Sequence, residues 1–142
     1  GANNGSTLKE VNGTASVNLH NFASNEAINN IIYGDGYLYI ITYNQDTNSD
    51  TLYEYNLINN NLFAIHYPSA VISPLYYKNY LYYSNSNAIF RYQKASQNEA
   101  NSIYTYQNGG GEYIKPVNDG IIFSDGNDLK SFVNGSIHTI QS

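Results

Sequence analysis

The sequence predicts an all-β chain built from repeated four-stranded antiparallel units, with almost no helix. A 14-residue phrase occurs three times, beginning at Ile31, Pro74 and Ile114, and the starts are 43 and 40 residues apart. Each phrase places aromatic and β-branched residues on both sides of a short turn, a pattern typical of β-hairpins. No long stretch has the apolar period of about 3.6 residues that marks an amphipathic helix.

The first half of each unit is a predicted hairpin that is closed by residues tolerant of positive φ. Its first strand is expected at Ile31 to Tyr33, Leu75 to Tyr77 and Ile114 to Val117. The predicted turns are Gly34 to Gly36, Lys78 to Asn79 and Asn118 to Gly120. The predicted second strands are Tyr37 to Tyr43, Tyr80 to Ser84 and Ile121 to Ser124. Within these strands we expect the most buried side chains at Leu38, Ile40, Leu81, Tyr83, Ile121 and Phe123.

The second half of each unit is another predicted hairpin, so that each unit forms a four-stranded meander. The predicted third strands are Thr51 to Leu57, Ala88 to Gln93 and Asp128 to Val133. The predicted fourth strands are Leu62 to Tyr67, Ser102 to Gln107 and Ser136 to Gln141.

The N-terminal segment matches only the second half of a unit. Leu8 to Thr14 aligns with Leu129 to Ser136 when one gap is allowed. We therefore interpret residues 1–142 as a single repeat array: a half unit at 6–22 and full units at 28–68, 71–108 and 112–142. The half unit lacks its two inner strands, which predicts an open sheet edge that another chain could pair with.

The units resemble the repeats of the β-propeller class, in particular Tyr- and Asn-rich blades of extracellular and periplasmic proteins. The period is that of propeller blades, about 40 to 50 residues. The resemblance is carried by Gly36-Tyr37-Leu38-Tyr39 with Leu52-Tyr53-Glu54-Tyr55, and by Tyr80-Leu81-Tyr82-Tyr83 with Ile89-Phe90-Arg91-Tyr92. It covers residues 6–142 and matches no named subfamily. It implies a β-propeller-like fold of about three blades plus an N-terminal half blade.

The composition argues against several classes of partner. Charged residues are 12% of the chain, the net charge is −5, and the six basic residues are scattered singly, so nucleic-acid binding is not expected. No apolar run is long enough to predict a membrane span. The chain has no cysteine and begins at Gly1 rather than Met, and its weakly charged surface is rich in Asn and Tyr. We predict a processed or excised chain at an extracellular or cell-surface location.

Candidate modification and metal sites lie in predicted turns. Three asparagines, Asn4, Asn12 and Asn134, stand in Asn-x-Ser/Thr sequences that are possible glycosylation acceptors, although each also reads as an Asn-Gly turn. Asp46, Asn48 and Asp50 supply alternating oxygen ligands of the kind that calcium loops use. That segment lacks the glycine and the final glutamate of an EF-hand loop, so an ordinary polar hairpin loop is the competing interpretation.

No catalytic signature stands out, and no cofactor is expected. Asp35, Asp119 and Asp125 could in principle form a carboxylate pair for glycoside hydrolysis, but a turn-forming role explains them more simply. The three histidines, His20, His66 and His138, fall in the last predicted strand of their units, too far apart for joint metal coordination.

Two functions remain open at this point. The first is a non-catalytic extracellular or cell-surface propeller module for protein or glycan binding and assembly, belonging to a larger protein or oligomer. Its open sheet edges would allow self-association or docking on a protein partner. The alternative is a fragment of a propeller-based, glycan-active hydrolase.

Overall fold

The chain is all-β over the residues that the computed structural model describes, 5–65 and 70–142. These residues form 14 strands and contain no helix, which confirms the predicted strand number and the all-β class. The strands of the first half are β1 (Thr7–Asn12), β2 (Ala15–Asn21), β3 (Glu26–Gly34), β4 (Tyr37–Asn44), β5 (Ser49–Asn56), β6 (Leu62–Ile65) and β7 (Ile72–Tyr77). The remaining strands are β8 (Tyr80–Ser84), β9 (Ala88–Gln93), β10 (Asn101–Thr105), β11 (Gly110–Val117), β12 (Gly120–Asp125), β13 (Asp128–Val133) and β14 (Ser136–Gln141).

The strands form three four-stranded antiparallel sheets and one two-stranded hairpin. Sheet 1 contains β3 to β6, sheet 2 contains β7 to β10, and sheet 3 contains β11 to β14, each in chain order. The N-terminal hairpin is β1 paired with β2. The predicted fourth strand of the first unit is observed as β6 to Ile65, and the rest of that prediction, including His66, lies outside the described residues.

The hairpin and the three sheets pack in chain order through three apolar clusters. One cluster lies between the hairpin and sheet 1, around Leu8 and Ile40. A second lies between sheets 1 and 2, around Tyr39 and Leu81, and a third lies between sheets 2 and 3, around Ile121. The backbones of neighbouring sheets approach one another chiefly at their first strands, β3 with β7 and β7 with β11.

The turns behave as their residue types predict. Lys78 and Asn79 close the β7–β8 hairpin with φ of 44° and 72°, and Asn134 closes the β13–β14 hairpin with φ of 51°. Two consecutive residues at positive φ make the tight turn whose twist matches that of the flanking strands. The short hairpins therefore fix the strand register, and that register decides which side chains face each neighbouring sheet.

Five of the six predicted core residues are buried, and the prediction for Leu38 is wrong. Leu38 is only partly buried, although Leu81 and Ile121 at the matching positions of the other units are fully buried. Leu81 and Ile121 are each covered by a complete preceding sheet, whereas Leu38 faces a hairpin of only two strands. Ile31 and Tyr33 lie beside it on the same face and are 44% and 66% exposed.

The second strands of sheets 1 and 2, β4 and β8, are buried on both faces, and the sequence analysis did not predict this. Tyr39 and Ile41 face sheet 2, and Ile40 between them faces the hairpin, yet all three are buried. Tyr82 and Tyr83 are buried on opposite faces of β8 in the same way. Burial on both faces follows from the stacking of the sheets and yields continuous rather than alternating apolar runs.

Sheets 1 and 2 approach closely where Gly34, the last residue of β3, meets the ring of Tyr76 in β7. A Cβ atom at position 34 would overlap the carbons of that ring. Glycine is required at this position by the close approach of the two sheets rather than by backbone conformation.

Candidate functional site

Two grooves open at the same end of the stack, where the β3–β4, β7–β8 and β11–β12 turns lie. The Glu54 groove runs between sheets 1 and 2 and contains a cavity of about 50 Å³; the Arg91 groove runs between sheets 2 and 3 and contains one of about 200 Å³. The Glu54 groove is lined by Tyr37, Glu54, Asn56, Asn59, Asn61, Phe63, Ala95 and Gln97. The Arg91 groove is lined by Tyr77, Lys78, Tyr80, Tyr82, Arg91, Asp119, Gly120, Phe132, Asn134 and Gly135.

The residues that name the two grooves occupy the same position of the repeat. Glu54 in β5 pairs across the ladder with Tyr39, the third residue of β4. Arg91 in β9 pairs with Tyr82, the third residue of β8. Each side chain points from its own sheet toward the next one along the chain. One repeat position therefore carries an anion in the first groove and a cation in the second.

The Glu54 carboxylate is buried and held by three donors. The side chain is 3% exposed. Its Oε2 accepts hydrogen bonds from the hydroxyl of Tyr39 and the backbone N–H of Ala95, both at 2.9 Å, and its Oε1 accepts one from Tyr92 at 2.9 Å. Tyr39 belongs to sheet 1, while Tyr92 and Ala95 belong to the second unit, so this carboxylate links two sheets through charge-assisted hydrogen bonds.

The same contacts shift the tyrosine hydroxyls. Burial, together with the Glu54 carboxylate, raises the pKa of Tyr39 well above its usual range. Burial also raises the pKa of Tyr92, and Glu54 adds to that shift. Both effects disfavour a phenolate beside an anion that has been removed from water. The two hydroxyls therefore act as hydrogen-bond donors here, and the groove is closed by its own side chains.

The Arg91 guanidinium is held by aromatic rings rather than by a carboxylate. Its Cζ lies 4.2 Å from the ring centroid of Tyr80 and 5.2 Å from that of Phe132, which reaches across from sheet 3. Its Nε is buried and has no hydrogen-bond partner among the described residues. An ion pair at the mouth joins Lys78 to Asp119 at 3.7 Å. Burial raises the pKa of Tyr82, and the nearby positive charge of Arg91 partly opposes that shift.

A second buried carboxylate, Asp125, joins sheets 2 and 3 at the opposite end of the stack. It accepts hydrogen bonds from the Tyr104 hydroxyl and from the backbone N–H groups of Gln107 at 3.1 Å and Asn108 at 2.7 Å. Burial alone would raise the pKa of Asp125, but these donors outweigh it and leave the pKa below its usual value. Burial and the contact with Asp125 raise the pKa of Tyr104 to about 12.

The candidate metal-binding oxygens lie in and beside the β4–β5 turn, and each has a protein partner. Asp46 accepts a hydrogen bond from Asn25 at 3.0 Å, and Asp50 accepts one from the backbone N–H of Val71 at 2.9 Å. Asn48 accepts one from the hydroxyl of Tyr43. Within residues 5–65 and 70–142, no three His, Asp or Glu side chains are grouped so that they could hold a metal ion.

The candidate glycosylation and catalytic residues are dispersed. Asn12 and Asn134 are exposed at hairpin turns, and Asn4 lies outside the described residues. Asp35 pairs with Lys94 of the second unit, and Asp119 pairs with Lys78.

His20 and His138 lie in β2 and β14, each the last strand of its unit, as predicted. No helix in the described part of the chain is long and apolar enough to cross a membrane.

Comparison with known proteins adds no identity: no family model matches the chain, and no curated protein matches it either.

Both groove residues were missed from the sequence. Leu52-Tyr53-Glu54-Tyr55 alternates like a half-buried strand, and such a pattern places glutamate on the solvent side. The signal that could have found them is the alignment of the repeats: Glu54 and Arg91 stand at one position, and the third unit carries Ser131 there, paired with Ile122. Three different polar residues at one repeat position, two of them between sheets and Ser131 on the outer side of sheet 3, indicate a position that differs from one repeat to the next.

Proposed function

We propose that this chain is a non-catalytic propeller module that binds protein or glycan and assembles with a second copy of itself at an extracellular or cell-surface location. Three features of the molecule support a propeller arrangement. Its four-stranded meanders follow one another in chain order, they stack face to face, and their first strands lie side by side. An array whose first strands converge can surround an axis, and closure of such a ring removes its open ends.

The observation that carries the assembly proposal is the pair of uncovered sheet faces at the two ends of the stack. On sheet 1, Ile31 and Tyr33 face the side where the hairpin supplies no inner strands. On sheet 3, Tyr113 neighbours the inward-facing Ile114 along β11 and is 63% exposed. Large apolar side chains that are clustered on uncovered sheet faces mark interaction surfaces. In such a dimer, the outer face of sheet 3 in each copy packs against the uncovered face of sheet 1 in the other copy.

The test is the molar mass in solution, measured by light scattering over a range of concentrations. We expect the measured mass of the wild-type protein to exceed the monomer mass of 15.9 kDa. The double variant Ile31→Lys/Tyr33→Lys should shift the mass toward the monomer, because it places charges on the face that must be covered. Ile58→Lys is the matched control, because Ile58 is 90% exposed in the β5–β6 turn and away from both faces.

The assembly is refuted if the wild-type protein is a monomer whose mass does not depend on concentration. It is also refuted if the double variant and its control change the molar mass equally.

The hydrolase alternative lacks a supporting observation. Asp35 and Asp119 each hold a lysine at a turn, and Asp125 is buried and already accepts three hydrogen bonds. The exposed Asn12 and Asn134, together with the low charge content, fit the proposed extracellular location.

A further inference from the structure

We infer that the Arg91 groove binds the carboxylate of an acidic sugar, a uronic acid residue of a glycan. This inference rests on the glycan-binding part of the proposed function and gives that function a site and a ligand class. It is carried by a partly buried cation that forms no ion pair with a carboxylate of the described residues, by the aromatic walls around it, and by the size of the space beside it.

Arg91 has unused hydrogen-bonding capacity. It is the only arginine of the sequence. A guanidinium carries five N–H donors in a planar fork, and that fork matches the two oxygens of a carboxylate. Here the cation lies over the rings of Tyr80 and Phe132, its Nε is buried without a partner, and no carboxylate of the described residues forms an ion pair with it. The side chain as a whole is only partly buried and lines the groove, so its remaining N–H groups can meet an acceptor that enters there.

The Glu54 groove shows how a charge at this repeat position is otherwise accommodated. There two tyrosine hydroxyls and one backbone N–H converge on the carboxylate, and the remaining cavity is about 50 Å³. In the Arg91 groove the ring that faces the charge from sheet 3 is Phe132 rather than a tyrosine, so this ring carries no hydroxyl. The cavity is about four times larger, and the partner that the protein does not provide has room to enter.

The lining favours a sugar ring. Aromatic side chains from both sheets form the walls: Tyr77, Tyr80 and Tyr82 from sheet 2, and Phe132 from sheet 3. Flat aromatic faces pack against the C–H face of a pyranose, while tyrosine hydroxyls and the amide of Asn134 can bond its hydroxyl groups. A cavity of about 200 Å³ lies below the size of pockets that enclose drug-sized ligands, so one ring of a longer chain fits better than a folded peptide.

The local charge selects the acidic sugar. The protein carries a net charge of −5, so an anion gains nothing from the molecule as a whole. Asp119 at the mouth is paired with Lys78, which leaves the Arg91 guanidinium as the unpaired charge of the groove. Recognition must therefore come from direct contact with Arg91.

The test is a titration of the full chain with D-glucuronic acid and D-galacturonic acid. Binding is monitored through the NMR chemical shifts of the backbone amides. D-Glucose and D-galactose are the matched neutral probes, and inorganic phosphate is the probe for simple anion binding. We expect both uronic acids to shift amides around β8, β9 and β13, and the neutral sugars to bind at least about tenfold more weakly because they lack the bidentate partner.

Variants locate the contact. Arg91→Gln should abolish uronic acid binding, and Arg91→Lys should weaken it about tenfold because an ammonium cannot form the planar pair of bonds. Lys115→Gln is the control, because it also removes one positive charge. Lys115 is exposed in β11 and lies outside the groove, so this variant should keep its binding. If Arg91→Gln does not fold, the comparison of Arg91→Lys with Lys115→Gln decides the question.

Equal binding of uronic acids and neutral sugars, binding of phosphate in preference to both, or no binding by the folded wild-type chain would each overturn the inference. Loss of binding in Lys115→Gln to the same degree as in Arg91→Lys would do so too. These outcomes are independent of the molar mass, so failure of the sugar site and failure of the assembly can be told apart.

Discussion

The Glu54 and Arg91 grooves are built from the same repeat positions, yet they differ in how a charge between two sheets is treated. In the Glu54 groove the neighbouring sheet supplies hydroxyl and N–H donors, and the carboxylate is fully enclosed. In the Arg91 groove the neighbouring sheet supplies the ring of Phe132, and a larger cavity remains beside the cation. The first groove thus serves cohesion between sheets, and the second retains a charge whose hydrogen bonds are incomplete.

The difference lies at the polar position of the repeat and not at the apolar position beside it. Leu81 in the interface between sheets 1 and 2 and Ile121 in the interface between sheets 2 and 3 are equivalent and fully buried. Repetition keeps this apolar position constant, because every interface must exclude water. The polar position carries Glu54 in one interface and Arg91 in the next, so it is the point at which the two interfaces differ.

The largest expected effect tests the constancy of the apolar position. Leu81→Ala should lower the free energy of unfolding by about 2 to 5 kcal/mol, and Ile121→Ala should cost a similar amount, because each leaves a cavity between two complete sheets. Leu38→Ala, at the same position but beneath the hairpin alone, should cost less, about 1 kcal/mol. Urea unfolding measures all three. Equal losses at Leu38 and Leu81 would show that the hairpin covers sheet 1 as fully as a complete sheet does.

A smaller effect should separate the two polar positions. Glu54→Gln keeps the shape of the side chain but removes the charge that strengthens three hydrogen bonds, so the free energy of unfolding should fall by about 1.5 to 3 kcal/mol. Arg91→Met keeps most of the packing against the two rings and removes an incompletely paired cation, so a change within about 1 kcal/mol is expected. A larger loss in Arg91→Met than in Glu54→Gln would reverse the roles assigned to the two grooves.

The smallest expected effect is a difference in tyrosine ionisation between the two grooves. It is measured by alkaline titration, with ultraviolet absorbance as the readout. Tyr39 and Tyr92 should ionise later than Tyr82, because Glu54 adds to the burial that raises the pKa of the first two, whereas Arg91 opposes it for Tyr82. A raised pKa in the folded state means that the stability it contributes is present below pH about 10, the pKa of an unfolded tyrosine, and is lost as the pH rises beyond it. Single Tyr→Phe variants assign the transitions; earlier ionisation of Tyr39 than of Tyr82 would contradict the contrast.

Much of the fold could be predicted because local chemistry determines it. Two-residue turns such as Lys78-Asn79 and the aromatic strands beside them fix hairpins within short segments, and the observed bounds of β8, β9, β13 and β14 coincide with the predicted ones. Burial depends instead on what covers each sheet. Leu38 was predicted to be buried and is not, because the sequence pattern of β4 is the same whether two or four strands lie above it.

The groove residues lay beyond sequence reasoning for a related reason. A glutamate or an arginine in an alternating strand is normally placed in solvent, and only the packing of the next sheet makes the position internal. Glu54 finds partners as distant in sequence as Tyr92 and Ala95. Contacts between residues so far apart in the sequence depend on the angle and the distance between sheets. Neither quantity can be derived from a single sequence.

The contact between Gly34 and Tyr76 makes one position decide how closely sheets 1 and 2 can pack. At this point the backbone of β3 lies so close to the ring of Tyr76 that no methyl group fits between them. A larger residue at position 34 would have to displace that ring. Because Tyr76 packs against the apolar cluster between the two sheets, the presence or absence of one carbon atom would decide whether this cluster keeps its packing.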